Sequence, residues 1–167
     1  IGREEAYTLK HPKLLERQLA FVRRAVTELN EFDNLYFEIC NEPYFGGVTL
    51  DWQRRVADEI TATEKNLPKT HLIAQNIANE KARVEDPNPA VSIFNFHYAS
   101  PPVTIAMNRD LRKPIVFDET GFKGTKDEVY RRQAWEFMLA GGSGFSNLDY
   151  SFTADHEDGS MKVEEPT

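Results

Sequence analysis

The chain has 167 residues, of which 40% are hydrophobic and 28% charged, with a net charge of −7. That length supports one domain with a real core. The acidic balance and scattered lysines and arginines exclude a nucleic-acid groove, and no run approaches the roughly 18 apolar residues of a membrane span. Such a composition suits a neutral small-molecule or sugar partner. The single cysteine, Cys40, rules out an internal disulfide and, lying in an apolar run, reads as a buried inert thiol.

Residues 12–31 carry Leu14, Leu15, Leu19, Val22, Val26 and Leu29 at helical spacing, with Pro12 near the start, and are expected to form a helix. Residues 34–41 read as a buried strand. A second helix is expected from Leu50 to about Asn66, capped by Thr49, striped by Trp52, Val56 and Ile60, and ended by Leu67-Pro68. Further strands are expected at 71–76, 91–98, 115–119 and 144–150. Between 115–119 and 144–150 a helix runs from Lys126 to Ala140, opened by a capping box at Thr125 to Glu128 and closed by Gly141-Gly142. The other connections between strands are short, so helices there must be short or irregular. Trp52 and Trp135 fall at helical positions and read as packing residues.

Strands alternating with helices imply a parallel sheet with right-handed crossovers. The polar residues gather at the C-terminal ends of the strands: Asn41-Glu42, Gln75-Asn76, His97-Tyr98, Asp118-Glu119 and Asp149. In a (β/α)8 TIM barrel that end holds the active site. A doubly wound sheet usually has a Gly-rich phosphate loop, and none is present. The fold class expected is therefore α/β. Because such a barrel has eight strands and typically about 250 residues, the chain is expected to be a partial barrel. It would hold about strands 4–8, with residues 1–167 as the C-terminal part of a single barrel.

Phe37-Glu38-Ile39-Cys40-Asn41-Glu42-Pro43 resembles the Asn-Glu-Pro signature of clan A retaining glycoside hydrolases, and most of all that of the cellulase-like family 5. Val116-Phe117-Asp118-Glu119-Thr120-Gly121 resembles the strand-seven end of the same clan. The likeness covers nearly the whole chain in element order. It implies Glu42 as acid/base, Glu119 as nucleophile and Asn41 as a ligand of the sugar 2-hydroxyl. The implied reaction is retaining hydrolysis of a β-linked oligo- or polysaccharide through a covalent glycosyl-enzyme, with no metal and no organic cofactor. The implied partner is a carbohydrate, with no nucleic acid and no membrane. The sequence gives neither oligomeric state nor sugar identity. The protein would be secreted or periplasmic if a signal peptide precedes residue 1.

Three points depart from the family pattern or extend it. The family separates the His and Tyr of strand six by one residue, whereas His97 and Tyr98 are adjacent. Alternation then aims them at different faces unless the strand is already turning, and which of the two reaches the site stays open. The family's strand-eight Trp is missing, leaving Asp149, Tyr150 or Phe152 to meet the sugar. Glu38 shares a strand face with Glu42 and is expected to pair with a basic residue on the early strands of the barrel, outside residues 1–167. Gln75, Asn76 and Asn79 are candidates to line the cleft. The loop Asp155, His156, Glu157, Asp158 reads as solvated rather than metal-binding.

Two other functions compete. One is a carbohydrate-binding barrel without activity, suggested by the strand-eight and His-Tyr departures. The other is a metal-dependent barrel hydrolase using Glu42, His97, Asp118 and Glu119.

Overall fold

A computed structural model describes residues 1–124, 126–148 and 151–162. Thr125 of the expected capping box, and Asp149 and Tyr150 among the expected sugar ligands, lie outside the described residues.

The chain is mixed α/β. A short helix α1 (Arg3–Ala6) precedes α2 (Pro12–Leu29), β1 (Phe37–Glu38) and α3 (Leu50–Glu64). Next come β2 (Ile73–Asn79), β3 (Ile93–His97), the short α4 (Val103–Met107), a 3-10 turn at Arg109–Leu111, β4 (Ile115–Glu119), α5 (Asp127–Leu139) and β5 (Gly144–Phe145). The strands form one five-stranded sheet in the order β1-β2-β3-β4-β5. Strand β1 pairs with β2, and β4 with β5, in parallel: Phe37 lies opposite Ile73 and Val116 opposite Gly144. The chain divides into two compact units, residues 1–77 with 84–94, and residues 78–83 with 95–167.

In the first unit, α2 and α3 are amphipathic helices that pack on each other. Leu19 and Val26 of α2 and Trp52, Val56 and Ile60 of α3 are buried. The expected cap is present: Thr49 Oγ1 accepts from the Trp52 N–H at 3.2 Å. A cap of this kind is worth about 1 kcal/mol. The indole N–H of Trp52 donates to Gln18 Oε1 at 3.0 Å, so its one polar atom is satisfied inside the helix pair.

In the second unit, Phe117 of β4 packs edge-on against Phe137 of α5 (5.4 Å between ring centres) and Phe145 of β5 (5.1 Å). Phe117 and Phe137 are fully buried. Helix α5 has Lys126 at its N-cap with no side-chain cap. Its C-terminus closes at the glycine pair. The Gly142 N–H donates to the Phe137 carbonyl at 3.0 Å, and a Cβ on Gly142 would lie 2.2 Å from the Phe137 ring. Only glycine permits that approach.

Several expectations are corrected. The strand expected over 34–41 is reduced to Phe37–Glu38. At the edge of the sheet it bonds to β2 and the residue before it, through Phe37 N–H to Leu72 O and Ile39 N–H to Ala74 O, and the chain then turns at Glu42, where φ is +44°. Strand β2 starts two residues later than expected and runs to Asn79. Backbone bonds Ser92 N–H to Ile73 O and Glu80 N–H to His97 O bracket it. Over the described part of the expected 144–150, residues 144–148, strand β5 covers Gly144–Phe145, although the Ser146 and Leu148 N–H groups still bond to Phe117 O and Thr120 O. Trp135 does not pack: it is 65% exposed on α5. Cys40 is half-buried rather than buried, and burial raises its thiol pKa, leaving it the unreactive protonated thiol.

Candidate functional site

Glu42 belongs to the first unit, on the turn after β1. Its left-handed backbone is uncommon for a residue with a Cβ and costs on the order of 1–3 kcal/mol unless the surroundings enforce it. Part of that enforcement is Asn76, at the middle of β2. Asn76 is 1% exposed, and its Oδ1 accepts from the Glu42 N–H at 3.2 Å. Tyr44 adds a hydroxyl that donates to Glu42 Oε1 at 3.3 Å. Pro43 is buried and Asn41 is exposed. The buried proline thus anchors the turn, with Glu42 and Tyr44 half-buried on either side of it.

Gln75 has a different place from the one expected. Its amide donates to Gln53 Oε1 of α3 at 2.8 Å, which aims it at the helix. Alternation along β2 then puts Asn76 on the opposite face. Glu38 is half-buried and its charge reaches the Cys40 thiol.

Glu119 belongs to the second unit and closes β4. Its two carboxylate oxygens are addressed separately. The Tyr98 hydroxyl donates to Oε1 at 2.8 Å, and His97 Nδ1 lies 3.5 Å from Oε2. Both residues therefore reach Glu119. Strand β3 ends at His97, and Tyr98 takes φ +52°, so the chain has left the extended conformation and alternation no longer separates the two side chains. Their rings meet edge to face, 6.3 Å apart. The Tyr98 N–H also donates to the Glu119 backbone carbonyl at 2.8 Å, which fixes the strand ends together.

The network continues behind His97. Its Nε2 lies 3.6 Å from Asp118 Oδ1, and Asp118 Oδ2 accepts from Asn95 Nδ2 at 2.7 Å. Asn95 and His97 share a face of β3 by alternation, and both are buried. Burial raises the Asp118 pKa, offset in part by the nearby imidazole and by the Asn95 amide. Neither Asn95 nor a supporting role for Asp118 was expected from the sequence. A signal existed: an asparagine within the apolar run Ile93-Phe94-Asn95-Phe96 must find a polar partner, since a buried amide without one costs several kcal/mol.

This arrangement holds one carboxylate in a fixed rotamer with a neutral donor on one oxygen and an imidazole near the other. A carboxylate so placed can attack an electrophilic carbon along a set direction or stabilise a cation. His97 and Glu119 are also metal-ligand types. Two bonds of about 2.1 Å at a tetrahedral angle span about 3.4 Å, close to the 3.5 Å found between them. Phe152 is 57% exposed, and the loop 155–158 is exposed. In that loop, Ser160 hydroxyl and backbone hydrogen bonds hold the Asp158 carboxyl below its ordinary pKa. That is the behaviour of a self-bonded turn.

Compared with protein-family models and with curated proteins, the chain matches none.

Proposed function

We propose that this chain carries the catalytic carboxylates of a retaining glycoside hydrolase acting on β-linked oligo- or polysaccharides, within a (β/α)8 barrel. Glu119 is the nucleophile and Glu42 the acid/base. The observation that carries the reading is the Tyr98 and His97 pair on the two oxygens of Glu119. A carboxylate that merely solvates a strand end needs no such clamp, whereas an in-line attack on an anomeric carbon does.

The chemistry follows in two steps. A Glu119 oxygen bonds to the anomeric carbon while the bond to the leaving oxygen breaks, and Glu42 gives that oxygen its proton. Water then bonds to the same carbon from the same face as the departed group. Glu42 takes the proton of the water, and Glu119 leaves as carboxylate. Tyr98 keeps Oε1 bonded so that Oε2 is the attacking atom, and the Tyr44 hydroxyl holds the Glu42 carboxyl on its turn. Asn41, exposed beside Glu42, is free of the core and suited to a sugar hydroxyl.

The test is stereochemical. Hydrolysis of an aryl β-glycoside, followed by NMR from the first turnovers, gives the β-anomer first. Glu119→Gln lowers turnover by at least about 10³-fold. An α-anomer as first product overturns the assignment of Glu119. Activity abolished by chelator overturns it in favour of a metal held by His97 and Glu119, the reading that their 3.5 Å separation supports.

A further inference from the structure

Beside the Glu119 network, a cavity of about 530 Å³ is lined by Tyr98, Thr120, Phe122, Glu80, Ser100 and Arg132 among others. Its volume lies within the ordinary range of ligand pockets, about 300–1,000 Å³. Phe122 is its unusual member. The residue is 64% exposed, and its backbone sits at φ +58°. A bulky residue in that region is a true outlier that costs on the order of 1–3 kcal/mol. A ring left mostly in solvent recovers little of that cost by burial in the fold.

The loop that carries it is nevertheless pinned. The Tyr130 hydroxyl of α5 donates to the Gly124 carbonyl at 2.8 Å and accepts from the Lys123 N–H at 3.1 Å. The Phe122 ring lies 6.4 Å from the Tyr98 ring, tilted by 34°. Tyr98 is the residue that donates to Glu119. An apolar ring is thus held out in solvent, next to the clamp on the nucleophile, with hydrogen-bonding groups around the cavity. A pyranose has the matching chemistry: C–H bonds on one face for the aromatic ring, and hydroxyls at its edge for Glu80, Ser100 and Arg132.

We infer that Phe122, with Tyr98 beside it, is the stacking platform of a subsite that binds a second sugar residue of a β-linked chain, next to the one attacked by Glu119. The inference rests on the glycosidase reading and adds a specificity determinant to it. The platform makes the protein favour oligosaccharides over single glycosides.

The experiment compares the wild-type protein in its full natural chain with Phe122→Ala and Phe122→Trp. The substrates are an aryl β-monoglycoside and β-1,4-linked tetrasaccharides of glucose, mannose and xylose. For each protein, kcat/KM is taken as the ratio of best tetrasaccharide to monoglycoside, and tetrasaccharide affinity is measured by calorimetry. Burial of a phenyl face is large enough that its removal lowers the ratio and the affinity about tenfold. Phe122→Trp keeps both. Equal ratios and equal affinities in wild type and Phe122→Ala overturn the subsite while leaving the glycosidase reading intact. Wild-type binding that weakens in Phe122→Ala, in a protein that hydrolyses nothing, supports the subsite and overturns the glycosidase reading. No binding and no hydrolysis by the wild type overturns both.

Discussion

Two buried histidines, one in each unit, show how the same side chain is used in opposite ways. His71 lies two residues before β2, and His97 is the last residue of β3. The side chains of both are 3% exposed, and both face carboxylates. His71 Nδ1 is 2.5 Å from Glu64 Oε1, its Nε2 is 2.6 Å from the Phe32 carbonyl, and its own N–H donates to Glu64 Oε2 at 3.0 Å. Both ring nitrogens face acceptors, so the imidazolium is the form that satisfies them. His97 meets its two carboxylates at the longer distances of 3.5 and 3.6 Å. A short, closed set of bonds at the entry to a strand is a clasp for the fold. A looser set at the exit of a parallel strand leaves a carboxylate oxygen available for chemistry. In α/β barrels the two ends of the strands divide stability and catalysis in the same way.

The largest expected effect that separates the two histidines is on stability. His71→Gln leaves the Glu64 carboxylate, buried with its residue 4% exposed, without its cation. Breaking a buried pair costs about 3–5 kcal/mol. Denaturant melts should show that loss, while turnover per folded molecule stays at the wild-type value. If His71→Gln melts like the wild type, the clasp is decorative.

Next in size is Tyr98→Phe. It removes a hydrogen bond to a charged group, worth about 1.5–3 kcal/mol, or roughly 10- to 100-fold in kcat. Thermal melts should stay within a few degrees of wild type. A loss confined to stability, with kcat unchanged, would erase the distinction between the two histidine regions.

The smallest effect is the pH dependence of the clasp. The Phe32 carbonyl, and then Glu64, raise the His71 pKa above its ordinary 6.5. The folded protein therefore holds the proton more tightly than the unfolded chain. The stability this contributes is complete below about pH 6.5 and is lost as pH rises through the higher folded value. Stability measured from pH 5 to 9 should fall on the alkaline side, and the His71→Gln variant should lack that component. The same fall in the variant would assign it to another group.

The sequence was most legible where local rules decide. The apolar stripes of α2 and α3, the cap at Thr49 and the strand at 115–119 follow from periodicity and turn chemistry within the segment itself. The limits of β1 and β5 are set by partners elsewhere in the chain, and there the reading ran too long. The His97-Tyr98 pair was ambiguous for the same reason. A tyrosine at φ +52° is not favoured by its own neighbours, and the bonds from its N–H and hydroxyl to Glu119 go with it. The His71–Glu64 clasp was not read at all. Glu64 sits in the last turn of an amphipathic helix, where a carboxylate usually faces water, and nothing local marks it as buried. For the candidate site, the sequence supplied Glu42, Glu119, Asn76 and the His-Tyr pair. The supporting roles of Tyr44, Asn95 and Asp118 depend on hydrogen bonds and contacts to residues distant in sequence or on a tight turn, which no local pattern specifies.

The central claim is that Glu119 forms a covalent bond to sugar. The most direct measurement is to treat the protein with an activated 2-deoxy-2-fluoro β-glycoside, which slows release of the intermediate, and to map the adduct by peptide mass spectrometry. The expected result is one glycosyl residue on the peptide containing Glu119 and none in Glu119→Gln. An adduct on another residue, or turnover-linked inactivation with Glu119 unmodified, would contradict it.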